Sequence, residues 1–453
     1  MPGEQYRSAE DFCLSGNIPT VKGKQLMFRR GAIPILKTIH IAFAAVLFAG
    51  GVNVTNLPIA AATGRGNDSP TKGPFQFEPL LTSAPCTPGG NAVQPFLLPD
   101  GYAQNIVASE PQFPDVPDMN TLNENGPQAG RFLYRTHELG SNGVVSVTDL
   151  WTSTTRILAQ RPEWGRLDGI VWTPWGSLLI AEERAGGLVY ELDPLTGAGV
   201  ARPAIGRKSH EGMRFDPQGN LYTISESNPG YIFKFVPDVR GDLSSGQTYA
   251  LKIITPTGDR TGEAEWVELN QAQVETNADT AAAAVGATGY NRPEDVETAT
   301  STGNNRGGAN TLYVAVTGPG DNRILGIDLR EPKGGKNHDT AFVYDYVKVG
   351  LNAPADFEWP DNLALDKNGN LFITEDPATA PTTGRGDDIW VAVAPSGGDS
   401  HGPASAVVRF ASLTDCNAEP TGIYFDLSGT TLFVHAQHRG GDGLDKEVGI
   451  SGS

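Results

Sequence analysis

The feature that most constrains the fold is a strand–turn–strand unit that recurs along the chain. Each copy is a hydrophobic strand, a tight turn rich in Asp, Pro, Asn and Gly, and a second apolar strand that ends on a polar or acidic residue. The copies occupy residues 129–140, 168–184, 211–227, 309–320, 361–377 and 421–438. Turns such as DPQGN and DKNGN supply backbone caps and a glycine for positive φ, which is typical of β-hairpins.

These repeats predict an all-β fold, a six-bladed β-propeller. One hairpin and an outer pair of strands make a four-stranded sheet, and about six such sheets close radially. The chain has 55 glycines and 33 prolines among 453 residues, and this turn-rich composition favours many short strands. A β-sandwich of hairpins is the alternative. The helix-like stretch QAQVETNADTAAAAVGA predicts a helical or loop insertion near 255–290, over one mouth of the ring.

The N-terminal part of the chain has the layout of an export signal. A positive segment around Arg29 precedes an apolar run at 39–54 and then small residues. The run is shorter than the roughly 20 residues of a membrane span, although an uncleaved anchor is the alternative. We therefore expect a leader at 1–62, a linker or extended wrap at 63–98 and a propeller domain at 99–453. The protein would be secreted or periplasmic and monomeric, touching a membrane only through an uncleaved leader.

The charge of the chain argues against nucleic acid as a partner. The formal net charge is −18, whereas phosphate backbones are bound by basic surfaces. Acidity suits divalent cations, or it serves solubility alone.

Two cysteines remain once the predicted leader is removed. Cys86 lies before the first repeat and Cys416 lies in the last one. In an exported protein such a pair is a disulfide candidate, and a ring closed by its two ends would bring the two residues together. The alternative is two unrelated buried thiols.

Acidic and polar residues recur at the ends of the strands that would line a central channel. They are His137, Glu138, Asp168, Glu182, Glu183, His210, Glu211, Glu226, Glu294, Asp361, Asn362, Glu375, Asp376, Gln437 and His438. Carboxylates gathered about one axis repel each other unless they are protonated or compensated. Calcium takes six to eight hard oxygen ligands, so the pattern predicts one polynuclear calcium site assembled from several blades. Solvated turn positions are the alternative.

The ordered motifs resemble the PhoX-type alkaline phosphatases. The matching stretches are THE (136–138), TPWGSLLIAEE (173–183), GRKSHEGMRFDPQGNLYTISE (206–226), FKFVPD (233–238), RPED (292–295), PDNLALDKNGNLFITED (360–376) and LFVHAQH (432–438). The resemblance implies an exported six-bladed propeller that hydrolyses phosphomonoesters with calcium and iron in its channel. It also implies metal-ligand roles for Glu182, Glu183, Glu211, Glu226, Glu294 and Glu375.

The resemblance also implies which residue grips the substrate phosphate. Arg292 matches the family's arginine, and a guanidinium binds phosphate through two parallel hydrogen bonds. Lys208 and His210 are candidate assistants in binding the substrate. Asp168 stands where the family carries an iron-binding cysteine, and a carboxylate there favours a harder, calcium-only site over iron.

The sequence thus predicts a metal-dependent phosphoester hydrolase that acts on a small phosphorylated substrate, with Arg292 and Asp168 as catalytic residues. Two alternatives stay open. One is a calcium-stabilised propeller that binds a ligand without turning it over, and the other is a calcium-dependent lactonase or esterase on a similar ring.

Overall fold

The structure is a computed structural model that describes residues 76–298, 310–330, 340–376, 384–395, 402–441 and 443–452. Within these residues, 26 strands form five hydrogen-bonded sheets. The predicted leader at 1–62 lies outside the described residues. The all-β prediction is confirmed, and the sheets have a propeller-like arrangement.

The strands follow the chain sheet by sheet. The first six are β1 (Phe96–Leu97), β2 (Tyr102–Ser109), β3 (Pro117–Leu122), β4 (Phe132–His137), β5 (Val144–Asp149) and β6 (Thr154–Gln160). The next four are β7 (Leu167–Trp172), β8 (Leu178–Glu182), β9 (Val189–Leu192) and β10 (Gly199–Ala201). Strands β3–β6 form one four-stranded antiparallel sheet and β7–β10 form another.

A nine-stranded sheet occupies the middle of the chain. It contains β11 (His210–Phe215), β12 (Leu221–Ser225), β13 (Ile232–Val239), β14 (Asp242–Gly258), β15 (Thr261–Glu268), β16 (Pro293–Thr298), β17 (Thr311–Val316), β18 (Arg323–Arg330) and β19 (Thr340–Lys348). Strands β11–β15 and β16–β19 are two antiparallel runs, and β15 pairs with β19 to join them.

Two further sheets complete the series, and each takes one strand from the start of the described chain. The last strands are β20 (Pro360–Leu365), β21 (Leu371–Glu375), β22 (Asp388–Val393), β23 (Ala406–Leu413), β24 (Glu419–Phe425), β25 (Thr431–Gln437) and β26 (Lys446–Gly452). Strand β1 pairs with β23, and β2 pairs with β26. N-terminal and C-terminal segments therefore share sheets.

Six edge strands come together at the centre. Strands β3, β7, β11, β16, β20 and β24 each lie at the edge of a sheet, and each contacts the next, with β24 contacting β3. The approach is close: a Cβ placed on Gly212 of β11 would lie 1.8 Å from Oδ1 of Asp295 on β16. Apolar clusters fill the spaces between successive sheets. One of them joins Val145 and Leu158 of the β3–β6 sheet to Ile170 and Ile180 of the β7–β10 sheet.

The segment from 76 to 98 is extended and lies against the sheet of β20–β23. Phe77 and Phe96 pack into that sheet's apolar core. Cys86 forms a disulfide with Cys416, with the two Cα atoms 5.0 Å apart. The bond joins positions 330 residues apart in the sequence, and so links the N-terminal segment to the loop between β23 and β24.

The predicted insertion near 255–290 is helical only in its second half. Its first part, including TGEAEWVEL, belongs to β14 and β15. Two short helices follow, α1 (Gln271–Val274) and α2 (Ala278–Ala284). Asn270 and Asn277 cap them by accepting hydrogen bonds from the backbone amides of Gln273 and Thr280, as is common at helix N-termini. In the described part of the chain, no helix has the length and apolarity to cross a membrane.

Candidate functional site

A cavity of about 460 Å³ opens between the edge strands. Among the described residues, ten carboxylates line it: Asp118, Glu138, Asp168, Glu183, Glu211, Glu226, Glu294, Asp361, Asp376 and Glu419. Two arginines, Arg166 and Arg292, share the lining with Val116, Thr421 and His438. Two positive charges cannot balance ten negative ones, so the cluster must take up protons or cations.

Five of these carboxylates are presented by β-bulges. The register of β3, β7, β11, β16 and β20 against the next strand slips directly after the first residue of the edge strand. The first residue within each slip is Asp118, Asp168, Glu211, Glu294 or Asp361. A bulge inserts one extra residue and re-aims a side chain. The repeat therefore turns one carboxylate per edge strand into the cavity.

Four more carboxylates follow the second strand of a repeat. The backbone amides of Glu138, Glu183 and Glu226 donate to the carbonyls of Val116, Arg166 and Ser209, over 2.9, 2.8 and 3.1 Å. The amide of Asp376 likewise donates to the carbonyl of Trp359, over 2.8 Å. Each bond ties the end of the second strand to the residue before an edge strand, which fixes the acidic side chain at the cavity.

The carboxylates form two groups that share one member. Oxygens of Glu183, Glu211 and Glu226 lie within 4.8 Å of one another, and so do oxygens of Glu211, Glu294 and Asp361. Most of these side chains are buried. This spacing is that of ligands around a cation, and Glu211 is placed to contribute to both groups.

Burial sets the electrostatics of the cluster. It raises the pKa of Asp118 to about 7, with the charges of Glu183 and Asp376 adding to the shift. Burial also raises the pKa of Glu226 to about 8. Oxygens of Glu226 and Glu183 lie within 4.8 Å of each other, and the proximity of Glu183 adds to the raised pKa of Glu226.

The other bulge carboxylates show the same behaviour. Burial, followed by the charges of neighbouring carboxylates, raises the pKa values of Asp168, Glu211, Glu294 and Asp361 above their ordinary values. In the absence of a cation, the cavity therefore holds protons at neutral pH. A cation that replaced them would restore the charged form of the ligands.

The two arginines form ion pairs with the carboxylates. Arg292 donates from Nε and Nη2 to Oε1 of Glu226, over 2.9 and 2.7 Å, and its Nη2 lies 3.1 Å from Oε1 of Glu294. Arg166 donates from Nε to Oε2 of Glu183 over 2.7 Å and also pairs with Glu138. Both arginines have positive φ, 48° at Arg166 and 39° at Arg292.

Most of the predicted site residues meet in this cavity. Asp168, Glu183, Glu211, Glu226, Arg292 and Glu294 all line it. Glu182 and Glu375 do not, and the prediction is corrected for both. Glu182 accepts from the backbone amides of Gly165 and Leu188 and pairs with Arg184.

Glu375 is held in the same way as Glu182. It accepts from Nε1 of Trp390 over 2.7 Å and from the amide of Asp388 over 3.0 Å. Successive side chains along a strand point to opposite faces, so only one residue of each acidic doublet reaches the cavity. Glu183 and Asp376 are those residues.

Lys208 and His210 also lie outside the cavity lining, which corrects their predicted contact with substrate. Nζ of Lys208 is buried 4.8 Å from the centroid of the Phe233 ring. Nε2 of His210 lies 3.1 Å from the carbonyl oxygen of Gly206. Both side chains belong to the packing behind β11.

Three charged lining residues, Asp118, Arg166 and Glu419, were missed by the sequence analysis. Asp118 carries a usable signal, because VPD at 116–118 repeats the pattern of RPE at 292–294 and WPD at 359–361. Arg166 precedes Leu167, which replaces the proline of that pattern, and Glu419 precedes Pro420. A search for the residues around the edge-strand proline would have found Asp118 and Glu419, whereas Arg166 lacks that proline.

Comparison with known families gives a match that agrees with this geometry. The model of the family described as alkaline phosphatase PhoX matches residues 168–440. The chain belongs to the PhoX alkaline phosphatase family. Eight of the ten carboxylates and Arg292 lie within the matched residues. The comparison with curated proteins found no match.

Two solved structures show a distant resemblance to this PhoX-family chain. A catalytically inactive virginiamycin B lyase from Staphylococcus aureus is 13% identical, covers 77% of this chain and 99% of its own, and has a TM-score of 0.44. A gluconolactonase from Xanthomonas campestris is 14% identical, with coverages of 83% and 98% and a TM-score of 0.41. Likenesses at this level carry no argument about function.

The cavity of this PhoX-family protein fits a hard cation in both its donors and its spacing. Oδ1 of Asp168 is buried and accepts no hydrogen bond within the described part of the chain. A buried carboxylate oxygen without a donor costs free energy unless a cation or proton compensates it. Oxygen donors in this number suit calcium, and Asp168 supplies oxygen where a thiolate would favour iron.

Proposed function

We propose that this PhoX-family protein is a calcium-dependent phosphomonoesterase whose reaction takes place in the carboxylate-lined cavity. The observation that supports this best is the pair of carboxylate groups sharing Glu211, with the guanidinium of Arg292 beside them. Cations and an arginine at one cavity are what transfer of a phosphoryl group requires, because its catalysis depends mainly on positioning and charge stabilisation.

The carboxylates have distinct roles in the proposed reaction. Glu183, Glu211 and Glu226 would hold one cation, and Glu294 and Asp361 would hold a second together with Glu211. Bound calcium supplies positive charge against the phosphoryl oxygens and makes water a better nucleophile. Asp168, from the neighbouring bulge, would direct its uncompensated oxygen toward the cations.

Arg292 would bind the phosphoryl group itself. Its guanidinium now lies against Glu226 and Glu294, with Oδ2 of Asp376 3.5 Å away. Once those carboxylates are engaged by cations, the guanidinium can turn its parallel N–H groups to the phosphoryl oxygens. Bidentate binding of this kind holds the group in line for attack.

We infer six blades for the ring. Six edge strands contact one another in a closed series, and the nine-stranded sheet consists of two antiparallel runs joined at β15 and β19. Counting each run as one blade, together with the four other sheets, gives six blades. Strands β1 and β2 are the outer strands of the last two blades. A propeller of this kind would place the substrate at the mouth of its central channel.

We also propose that the protein acts outside the cytoplasm. The disulfide between Cys86 and Cys416 supports this location, because disulfides persist in oxidising compartments. The monomeric state remains a prediction.

The function is tested by assay of the purified protein with and without calcium. We expect calcium-dependent release of p-nitrophenol from p-nitrophenyl phosphate, together with calcium in elemental analysis. Hydrolysis of p-nitrophenyl acetate or a γ-lactone, with none of the phosphate ester, would replace the proposal by the lactonase or esterase alternative. Calcium binding without turnover of any of the three would favour the ligand-binding alternative.

A further inference from the structure

Arg166 and Arg292 occupy the same position in two repeats of the fold. Each directly precedes an edge strand, and the carbonyl of each accepts a backbone amide, from Glu183 over 2.8 Å and from Thr317 over 3.0 Å. Val116, Ser209 and Trp359 hold this position in three other repeats and accept the equivalent bonds. The position is therefore a regular element of the ring.

The fold does not require arginine at this position. Positive φ occurs there at Val116 and Trp359 as well, at 48° and 47°, so the backbone conformation belongs to the repeat and not to a residue type. Valine, serine and tryptophan all satisfy the same backbone bond. The presence of arginine at this position in two repeats is explained by the cavity, which both side chains line.

The two guanidinium groups flank one pair of carboxylates. Arg166 binds Glu183 and Arg292 binds Glu226, each through Nε and Nη2. Glu183 and Glu226 belong to the same three-carboxylate group, with oxygens within 4.8 Å of each other. The two guanidinium groups therefore contact different members of one carboxylate group in the same cavity, and the side chains of Arg166 and Arg292 are 48% and 32% exposed.

We propose that Arg166 is a second phosphate-binding residue and that the pair selects dianionic phosphomonoesters over monoanionic phosphodiesters. This rests on the proposed function of the same cavity. A monoester presents three terminal oxygens and two charges, which two guanidinium forks can share, whereas a diester presents two terminal oxygens and one charge. Selection thus comes from the second arginine.

The test compares Arg166→Gln with a matched control, Arg184→Gln, in the full-length, calcium-loaded protein. Arg184 is 44% exposed and pairs with Glu182 outside the cavity. Binding of inorganic phosphate is measured by calorimetry, and calcium content by elemental analysis. We expect Arg166→Gln to weaken phosphate binding about tenfold or more, the loss of a charge-assisted hydrogen bond, at unchanged calcium content. Arg184→Gln should leave phosphate binding unaltered.

Kinetics supply the second measurement. For Arg166→Gln, we expect kcat/KM to fall about 10- to 100-fold on p-nitrophenyl phosphate and about threefold or less on bis-p-nitrophenyl phosphate. Equal losses on both esters would overturn the selectivity. A phosphate affinity that stays within about twofold of wild type, or a loss that follows a fall in calcium content, would show that Arg166 only neutralises Glu138 and Glu183.

Failure of the proposed function would be visible separately. A wild-type protein that turns over neither ester would refute the hydrolase, whereas phosphate calorimetry would still report on Arg166. A wild-type protein that hydrolyses the monoester, with an Arg166→Gln variant of equal phosphate affinity and kcat/KM, would refute this inference alone.

Discussion

Nη2 of Arg292 lies 2.7 Å from Oε1 of Glu226, a carboxylate that also belongs to the three-carboxylate group with Glu183 and Glu211. One carboxylate thus serves as the partner of an arginine and as a candidate cation ligand. The guanidinium and a cation compete for it, so their effects on the site can be separated.

The first prediction concerns Arg292→Gln. We expect calcium to bind several-fold more tightly, because a positive charge that repels the cation and occupies Glu226 is removed. We expect kcat/KM for p-nitrophenyl phosphate to fall about 100- to 1,000-fold, since a donor to the phosphoryl group is lost. Calcium calorimetry and steady-state kinetics measure the two effects, with Arg260→Gln as a control at a half-exposed arginine paired with Asp259 and Asp321. A joint loss of calcium affinity and activity would contradict the prediction.

The second prediction uses the adjacent pair Glu182 and Glu183. Glu183→Gln should lower calcium affinity about tenfold or more, because a charged oxygen ligand is lost from the cavity. Glu182→Gln should leave calcium affinity within about twofold and lower the melting temperature, because its carboxylate accepts hydrogen bonds from two backbone amides, worth about 1–3 kcal/mol. Equal effects of the two substitutions on calcium affinity would contradict the assignment of Glu183, and not Glu182, as the cavity residue.

The pair Glu182 and Glu183 also shows which features of the site the sequence can predict. The repeats predict the all-β class and the gathering of acidic strand ends, since hairpins of one pattern must present equivalent positions to one axis. They do not decide which residue of Glu182–Glu183 or Glu375–Asp376 faces the axis. That choice depends on strand register, and one residue of slip moves every side chain to the other face.

The β-bulges are a second feature that the sequence pattern does not predict. The slip in each edge strand aims Asp118 and its equivalents at the cavity, yet it leaves no mark in the hydrophobic pattern. The pairing of β15 with β19 is equally hidden, because it joins strands separated by α1, α2 and three further strands. Such long-range pairing is set by tertiary packing and not by local propensity.

The third prediction concerns pH and stability without calcium. Burial raises the pKa of Asp118 to about 7 and that of Glu226 to about 8, whereas both carboxyls ionise near pH 4 in the unfolded chain. Between these values the folded protein holds protons that the unfolded chain has released, so the stability present at low pH is lost as pH rises.

We therefore expect the melting temperature of EDTA-treated protein to fall between pH 6 and pH 8. In saturating calcium the fall should be much smaller, because the cation replaces the protons. Scanning calorimetry across this range provides the measurement, and proton release on calcium binding, seen as buffer-dependent calorimetric heat, checks the cause. A melting temperature of the calcium-free protein that rose over this interval would refute the assignment of raised pKa values.

The last prediction concerns Lys208, behind the cavity. Its Nζ is buried over the ring of Phe233 and has no hydrogen-bond partner among the described residues. The negative charge of Asp279 favours the charged form of this lysine. Burial lowers its pKa to about 7, although the charge of Asp279 opposes the shift. Between pH 7 and about 10.4 the unfolded chain binds a proton that the folded protein does not, so this lysine makes stability rise with pH across that interval.

Lys208→Met keeps the aliphatic packing and removes the titrating group. At pH 7 the free energy of unfolding of Lys208→Met should exceed that of wild type by the largest amount. This difference should shrink as the pH rises to 10, by at most about 1.4 kcal/mol per pH unit. Urea unfolding in saturating calcium, which suppresses the opposite trend of the carboxylates, measures the difference. The control Lys252→Met removes a half-buried lysine whose Nζ donates to the carbonyl of Val285 over 2.8 Å, and its unfolding is measured over the same pH range for comparison. A difference between Lys208→Met and wild type that stayed constant from pH 7 to pH 10 would mean that Lys208 remains charged in the folded protein, held by Asp279.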